Sequence, residues 1–435
     1  MKKRKQIALH VAVFALLLAI FWLFLILAAL IPNQAMQKNM TQSALYYKDR
    51  EAFAFEKEGR WNSISDNYAD AILLNVSWHM GKGKPFTATL DTWYYDGETM
   101  GENVGLYRSV TEGIEPNTEY SRYWHGTAVL VRFLHLFLDV KGIKLCGFLG
   151  VLVLALGTLG ILVKHRQIEL AIALLVSMAA VQIWNVRLAL EYQPAFLLGF
   201  LFCILYLWLE RKGDSWLTLL SVAGGVAIAF FDFLTTETVV LLLPLILVVA
   251  VRAKENRLGD FKTNLRLLSG CGICWLSAYA GTFLVKWTAA SLVTGSNKFL
   301  LAFTSVEERM TGSLSGEGSD NSLLRIPQAV IANLTMMFGG EHRVEPGRVA
   351  VGLLLAVLLL GSLLYLFYKK GNLCAIKLLV LLGSVVFLRY SILNNHSYLH
   401  EFFTYRALIS PIMAVLAGAV LSMQIPRPVR RKGRK

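Results

Sequence analysis

Two carboxylates four residues apart, Asp66 and Asp70, stand at the head of a short apolar run that ends Val76-Ser77-Trp78-His79. On a helix this spacing puts both acids on one face, one turn apart, near an N-terminus where negative charge is favoured. Such a pair either caps a helix or supplies a base that takes a proton from an attacking hydroxyl. Asp66 follows Ser65 and is nearer the cap, where backbone N–H groups engage a carboxylate. Asp70 lies one turn inside and is left freer to meet a substrate, so the spacing ranks it ahead of Asp66 as the base.

Other charged groups collect where polar segments meet apolar ones. Arg122 and His125 occur in Ser121-Arg-Tyr-Trp-His125-Gly126, and a tight turn, Phe231-Asp232-Phe-Leu-Thr-Thr-Glu237, places Asp232 and Glu237 between two apolar runs. Arg187 stands near Glu191 and Tyr192, and Arg389 precedes a hairpin that carries His396, His400 and Arg406. Arginine's planar fork donates two hydrogen bonds to a phosphate, so these arginines and histidines are candidates for binding substrate or phosphate. Solvation of helix ends and snorkelling would place the same residue types at the same boundaries.

Several chemistries are disfavoured. No pair among His79, His125, His396 and His400 has a strong zinc-ligand spacing. Cys271-Gly-Ile-Cys274 lacks a second ligand pair and sits in an apolar run, where small residues serve helix packing. The long polar insert contains none of the five cysteines, so no disulfide framework is indicated. There is no phosphate-binding glycine loop with its lysine and no Gly-x-Ser-x-Gly elbow.

The elements that must position these residues are membrane helices. Of 435 residues 55% are hydrophobic, the mean hydropathy is +0.52, and apolar runs recur from Ile7 to Ile425, so the chain reads as an all-α polytopic membrane protein. Apolar runs at 7–31, 143–163, 169–190, 194–209, 216–233, 239–251, 267–284, 349–368, 376–393 and 407–423 suggest about ten transmembrane helices. The net charge of +14 comes in short basic clusters between those runs, which is an orientation signal and not a nucleic-acid footprint. It predicts cytoplasmic N- and C-termini in a cell membrane, with the acid and arginine clusters on the outer side.

The chain then divides into a cytoplasmic N-terminus and first helix (1–31), an extracellular loop (32–138), a transmembrane bundle (139–426) with an external loop at 294–348, and a basic cytoplasmic tail (427–435). Within the insert, the segment up to Arg60 fits a helix or a loose chain, and residues 87–95 alternate like a strand before an Asp96-Gly97 turn. Residues 127–138 are apolar but too short to span, with Arg132 and His135 among them, and fit a helix lying in the interface.

In this arrangement the chain resembles the GT-C superfamily of integral-membrane glycosyltransferases, which place a large external loop with an acidic catalytic motif and short interfacial helices after the first transmembrane helix. Three motifs, Ser121 to Gly126, Phe231 to Thr236 and Asn395 to Arg406, are also similar to those of multi-pass proteins of Gram-positive bacteria. The departure is the Asp-x-x-x-Asp spacing, where the superfamily often has its acids adjacent or one apart, and this leaves both Asp66 and Asp70 as candidates. The resemblance implies transfer of a sugar from a polyprenyl-phosphate donor to a cell-envelope glycan or lipid acceptor at the outer face of the bilayer. Arg122, Arg389 and Arg406 would steady the departing phosphate, as would a divalent metal, Mg or Mn, held by carboxylates. The competing readings are a transporter or flippase of a lipid-linked or polar solute, and a non-catalytic envelope-assembly protein. Transporters tend to carry internal repeats and midplane breaks, and no repeat is evident here.

Overall fold

A computed structural model describes residues 2–311, 322–339, 346–368 and 372–423. The basic tail at 427–435 lies outside the described residues. The leading apolar run forms α1 (Lys2–Ala29), and Pro32, unable to continue a helix, turns the chain into α2 (Asn33–Lys48). A two-stranded ribbon of β1 (Phe53–Phe55) and β2 (Ile64–Asp66) pairs Phe53 with Asp66 and delivers the chain into α3 (Asn67–Met80). The insert continues through α4 (Pro85–Ala88), β3 (Trp93–Tyr94), α5 (Gly101–Thr111), β4 (Thr118–Glu119) and α6 (Ala128–Leu134). The strand expected over 87–95 is therefore mostly helical turn, with only Trp93 and Tyr94 pairing against β4. Pro85 at the first position of α4 starts that turn.

The bundle comprises α7 (Val140–Lys164), α8 (Ile168–Ala180), α9 (Gln193–Leu209), α10 (Asp214–Phe231), α11 (Val239–Lys254), α12 (Phe261–Thr294), α13 (Lys298–Thr311), α14 (Ser322–Met336), α15 (Pro346–Tyr368), α16 (Leu373–Ile392), α17 (Asn394–Leu399), α18 (Glu401–Thr404) and α19 (Ile409–Met423). Among the described residues, six helical stretches are long and apolar enough to cross a membrane: α1, α7, α10, α12, α16 and the stretch Glu401–Met423. The architecture is that of an all-α membrane protein. The run at 169–190 is not one helix: α8 stops at Ala180, Gln182 takes a left-handed φ of 51°, and Ile183–Leu188 continues as a 3-10 helix. The 294–348 segment, expected as loop, contains α13 and α14.

The bundle has two distinct ends. At one, loops expected to be basic and cytoplasmic meet in an ion network: Glu210 holds Arg252 at 3.0 Å and Arg257 at 2.5 Å, Arg211 reaches Glu255 at 2.6 Å, and Lys254 reaches Glu169 at 2.5 Å. At the other end the insert docks. Arg132 of α6, fully buried, donates to the carbonyls of Ala28, Ile31 and Ser77 and to Asn33. These carbonyls lie at the ends of two helices, where the intrahelical ladder runs out, so one guanidinium ties together the ends of α1 and α3. Gly81 passes so near this knot that a β-carbon there would run into Asn33 and Arg132. Trp124 donates to the Thr282 carbonyl at 2.8 Å, Lys286 donates to Thr89 and Leu90 at 2.8 Å each, and the Gly126 N–H donates to Phe230 at 2.9 Å. The insert is thus fixed to α10 and α12 by polar contacts inside a mainly apolar joint.

Candidate active site

Between the insert and the helix ends lies a cavity of about 360 Å³. Asp66, at the junction of β2 and α3, lines it. One carboxylate oxygen accepts the Ala69 N–H at 2.8 Å, which makes Asp66 the cap of α3. Its carboxyl also hydrogen-bonds Glu191, another lining residue, one of whose oxygens is buried with no other partner. Burial lifts Asp66 to about 7 despite the Ala69 bond. Burial and the neighbouring Asp66 raise Glu191 well above the usual carboxylate range.

Asp70 does not reach the cavity. It is completely buried, receives the Tyr47 hydroxyl at 2.8 Å and the Leu190 N–H at 2.7 Å, and pairs with Lys144 at 2.6 Å. Lys144 also donates to the Leu188 carbonyl, as does Ser65, each at 2.8 Å. Asp70 and Lys144 therefore staple the segment before α9 onto α3, and that staple sets Glu191 beside Asp66. The sequence ranks Asp70 ahead of Asp66 as the base; the capping acid lines the cavity, while the inner acid is engaged by Tyr47, Leu190 and Lys144. Capping occupies only one of two carboxylate oxygens, whereas Asp70 meets a lysine that tertiary packing alone brings there.

Cations and aromatics also line the cavity. Arg122 lies 4.5 Å from the centre of the Tyr120 ring and 5.5 Å from that of Tyr123, and donates to the Ser305 hydroxyl at 3.3 Å. Arg309, from α13, donates to the Ser305 carbonyl at 3.2 Å and the Tyr123 hydroxyl at 2.5 Å. The Nε atoms of both arginines are buried without an acceptor, and among the described residues neither guanidinium has a carboxylate partner. His125, held in a left-handed φ of 55°, bonds the Tyr120 carbonyl at 2.8 Å and is pushed down to about 3 by burial, so it is neutral. His396 and His400 line the cavity with their rings 4.8 Å apart, and burial likewise lowers His396.

The remaining candidates stand outside this lining. Arg187 is half exposed and pairs with Glu56 at 3.0 Å. Arg389 pairs with Glu237 at 3.0 Å and donates to Ser397 and the Leu234 carbonyl, so it ties the α10–α11 turn to α16 and α17. Asp232 closes that turn by accepting the Thr235 N–H at 2.9 Å and hydroxyl at 2.5 Å, and burial lifts it to about 7. Arg406 is buried between the rings of Tyr192 and Tyr405, 4.6 and 5.0 Å away. Four charged lining residues, Glu119, Glu191, Glu308 and Arg309, were not assigned from sequence. Glu191 was visible only as a charge at a boundary, and Arg309 sat in a stretch read as loop, where the apolar spacing of 298–311 was the available helix signal.

No group of three or more His, Cys, Asp or Glu among the described residues is arranged to hold a metal ion. The carboxylates that come closest to such a group in the cavity are Asp66 and Glu191. The chain matches no protein-family model, no curated protein and no solved structure.

Proposed function

We propose that the chain is a GT-C-type glycosyltransferase that moves a sugar from a polyprenyl-phosphate donor onto a glycan or lipid acceptor at the outer face of a cell membrane. The observation that carries this reading is one cavity lined by an ionisable acid, Asp66, and by two guanidinium groups without an ion-pair partner among the described residues, Arg122 and Arg309. In the proposed step the acceptor hydroxyl attacks the anomeric carbon and Asp66 takes its proton. The bond from that carbon to the phosphate oxygen breaks, and the lipid phosphate leaves with the electron pair. Arg122 and Arg309 meet the charge that develops there, with donors already oriented before the reaction. Tyrosine and phenylalanine faces suit the apolar faces of a sugar ring.

The topology that accompanies this reading has about ten membrane crossings, the six long apolar helices being joined by α8, α9, α11 and α15. Both termini are then cytoplasmic and the insert external. The ion network at the end opposite the insert supports that orientation, because it collects the basic loops.

The test is transfer in proteoliposomes from a polyprenyl-phosphate sugar pool into an acceptor glycan or lipid. Asp66→Asn is expected to lower the rate by about 10²- to 10⁴-fold, the usual cost of losing a positioned base. Wild-type transfer by a folded Asp66→Asn protein would sink the assignment and favour solute movement or envelope assembly instead.

A further inference from the structure

A second cavity, of about 230 Å³, opens where α7 leaves the bundle beneath the insert, and four cations line it: Arg50, Lys141, Lys144 and Arg187. Two are neutralised, Lys144 by Asp70 at 2.6 Å and Arg187 by Glu56 at 3.0 Å. Arg50 and Lys141 have no carboxylate partner among the described residues. Instead both close on one ring, Arg50 at 4.0 Å and Lys141 at 4.8 Å from the centre of Tyr46. Each cation is drawn to the ring, and the ring leaves their positive charge without a neutralising carboxylate.

The orientation signal does not account for this cluster. Basic residues that orient the bundle gather at its opposite end, around Glu210 and Glu255. Immediately below the cavity, Leu145, Leu149, Val153 and Leu156 run down one face of α7 at helical spacing, between 49% and 67% exposed. A pocket with uncompensated positive charge above an uncovered apolar track matches a molecule with an anionic head and hydrocarbon chains.

We propose that this cavity seats the phosphate of an anionic membrane phospholipid between Arg50 and Lys141, with its acyl chains lying along the exposed face of α7. The lipid is a resident one and not the substrate, for this cavity and the reaction cavity have no lining residue in common. Seated there, it joins the end of α2 to the head of α7 and lies against Lys144, whose pairing with Asp70 sets the loop that carries Glu191.

The test is independent of sugar transfer. The full-length protein, purified in neutral detergent, is titrated with phosphatidylglycerol, with phosphatidylcholine or with inorganic phosphate, and bound lipid and melting temperature are read by native mass spectrometry and tryptophan fluorescence. One phosphatidylglycerol is expected to be retained and to raise the melting temperature more than phosphatidylcholine does. Arg50→Gln and Lys141→Gln are each expected to weaken its retention on the order of five-fold, as loss of one cation facing an anionic lipid should. Both positions are exposed, so the melting temperature without added lipid should not change, and Arg50→Lys should keep the retention. Equal retention of the two lipids, or undiminished retention by both Gln variants, would overturn the proposal. Full stabilisation by inorganic phosphate alone would make this a free-anion site and overturn the lipid assignment.

Discussion

At the scale of single residues, Asp66 and Asp70 are one turn apart and differ in surroundings, the first lining the cavity and the second paired with Lys144. Asp66 must be ionised to accept a proton, and burial places its carboxyl at about 7, above the ordinary carboxylate range. Transfer should therefore rise with pH through about 7 and fall on the acid side as Asp66 protonates, and a rate profile measured from pH 5 to 9 checks this. The sign for stability is opposite. Because the folded state holds this proton more tightly than the unfolded chain, ionising Asp66 weakens the fold progressively from the ordinary carboxylate range up to about pH 7. Asp66→Asn should accordingly leave the melting temperature at pH 8 unchanged or higher. Asp70→Asn should lower it at the same pH, since it strips the buried Lys144 of its counter-charge, a change that typically costs about 3–5 kcal/mol. A scan of both variants distinguishes a reacting group from a positioning one. Residue types and spacing made both acids visible, but not which one faces the cavity. That depends on a lysine seventy-four positions further along the chain from Asp70.

At the scale of elements, the insert is held by a few polar anchors. Arg132 was read from sequence only as a charge in an interfacial helix, and its role as the shared cap of α1 and α3 required their ends to be brought together. Gly81→Ala should displace that guanidinium from its carbonyls, because the new methyl group falls on Asn33 and Arg132. The expected result is a loss on the order of 1–3 kcal/mol as the buried acceptors go unpaired, measurable as faster proteolysis of the insert in detergent while the bundle stays helical by circular dichroism. Apolar runs made the long helices legible, since length and hydropathy suffice for them. Helix α13 and the break after Ala180 were not, the first for its short amphipathic run amid polar sequence, the second because Gln182 lies in an otherwise apolar stretch.

At the scale of the whole molecule, the basic ion network and the acid-bearing cavity lie at opposite ends of the bundle. Single cysteines at Glu112 and Lys262, in a protein whose native cysteines are replaced, should react on opposite sides of sealed vesicles with a membrane-impermeant maleimide. Labelling of both from one side would remove the proposed orientation. Helix α12 then sets a height. It runs 34 residues from Phe261, and Phe283, whose ring meets Tyr123 of the cavity wall, lies about 33 Å along it. That distance is close to the roughly 30 Å thickness of a bilayer's hydrocarbon, so with Phe261 at the far interface the cavity opens level with the headgroups. A lipid-borne group reaches such a mouth with its tail still immersed, and a water-borne partner reaches it without entering oil. Acyl-chain length should therefore act as a control. In vesicles of progressively longer lipids, transfer should pass through a maximum and decline once the bilayer edge climbs past the opening.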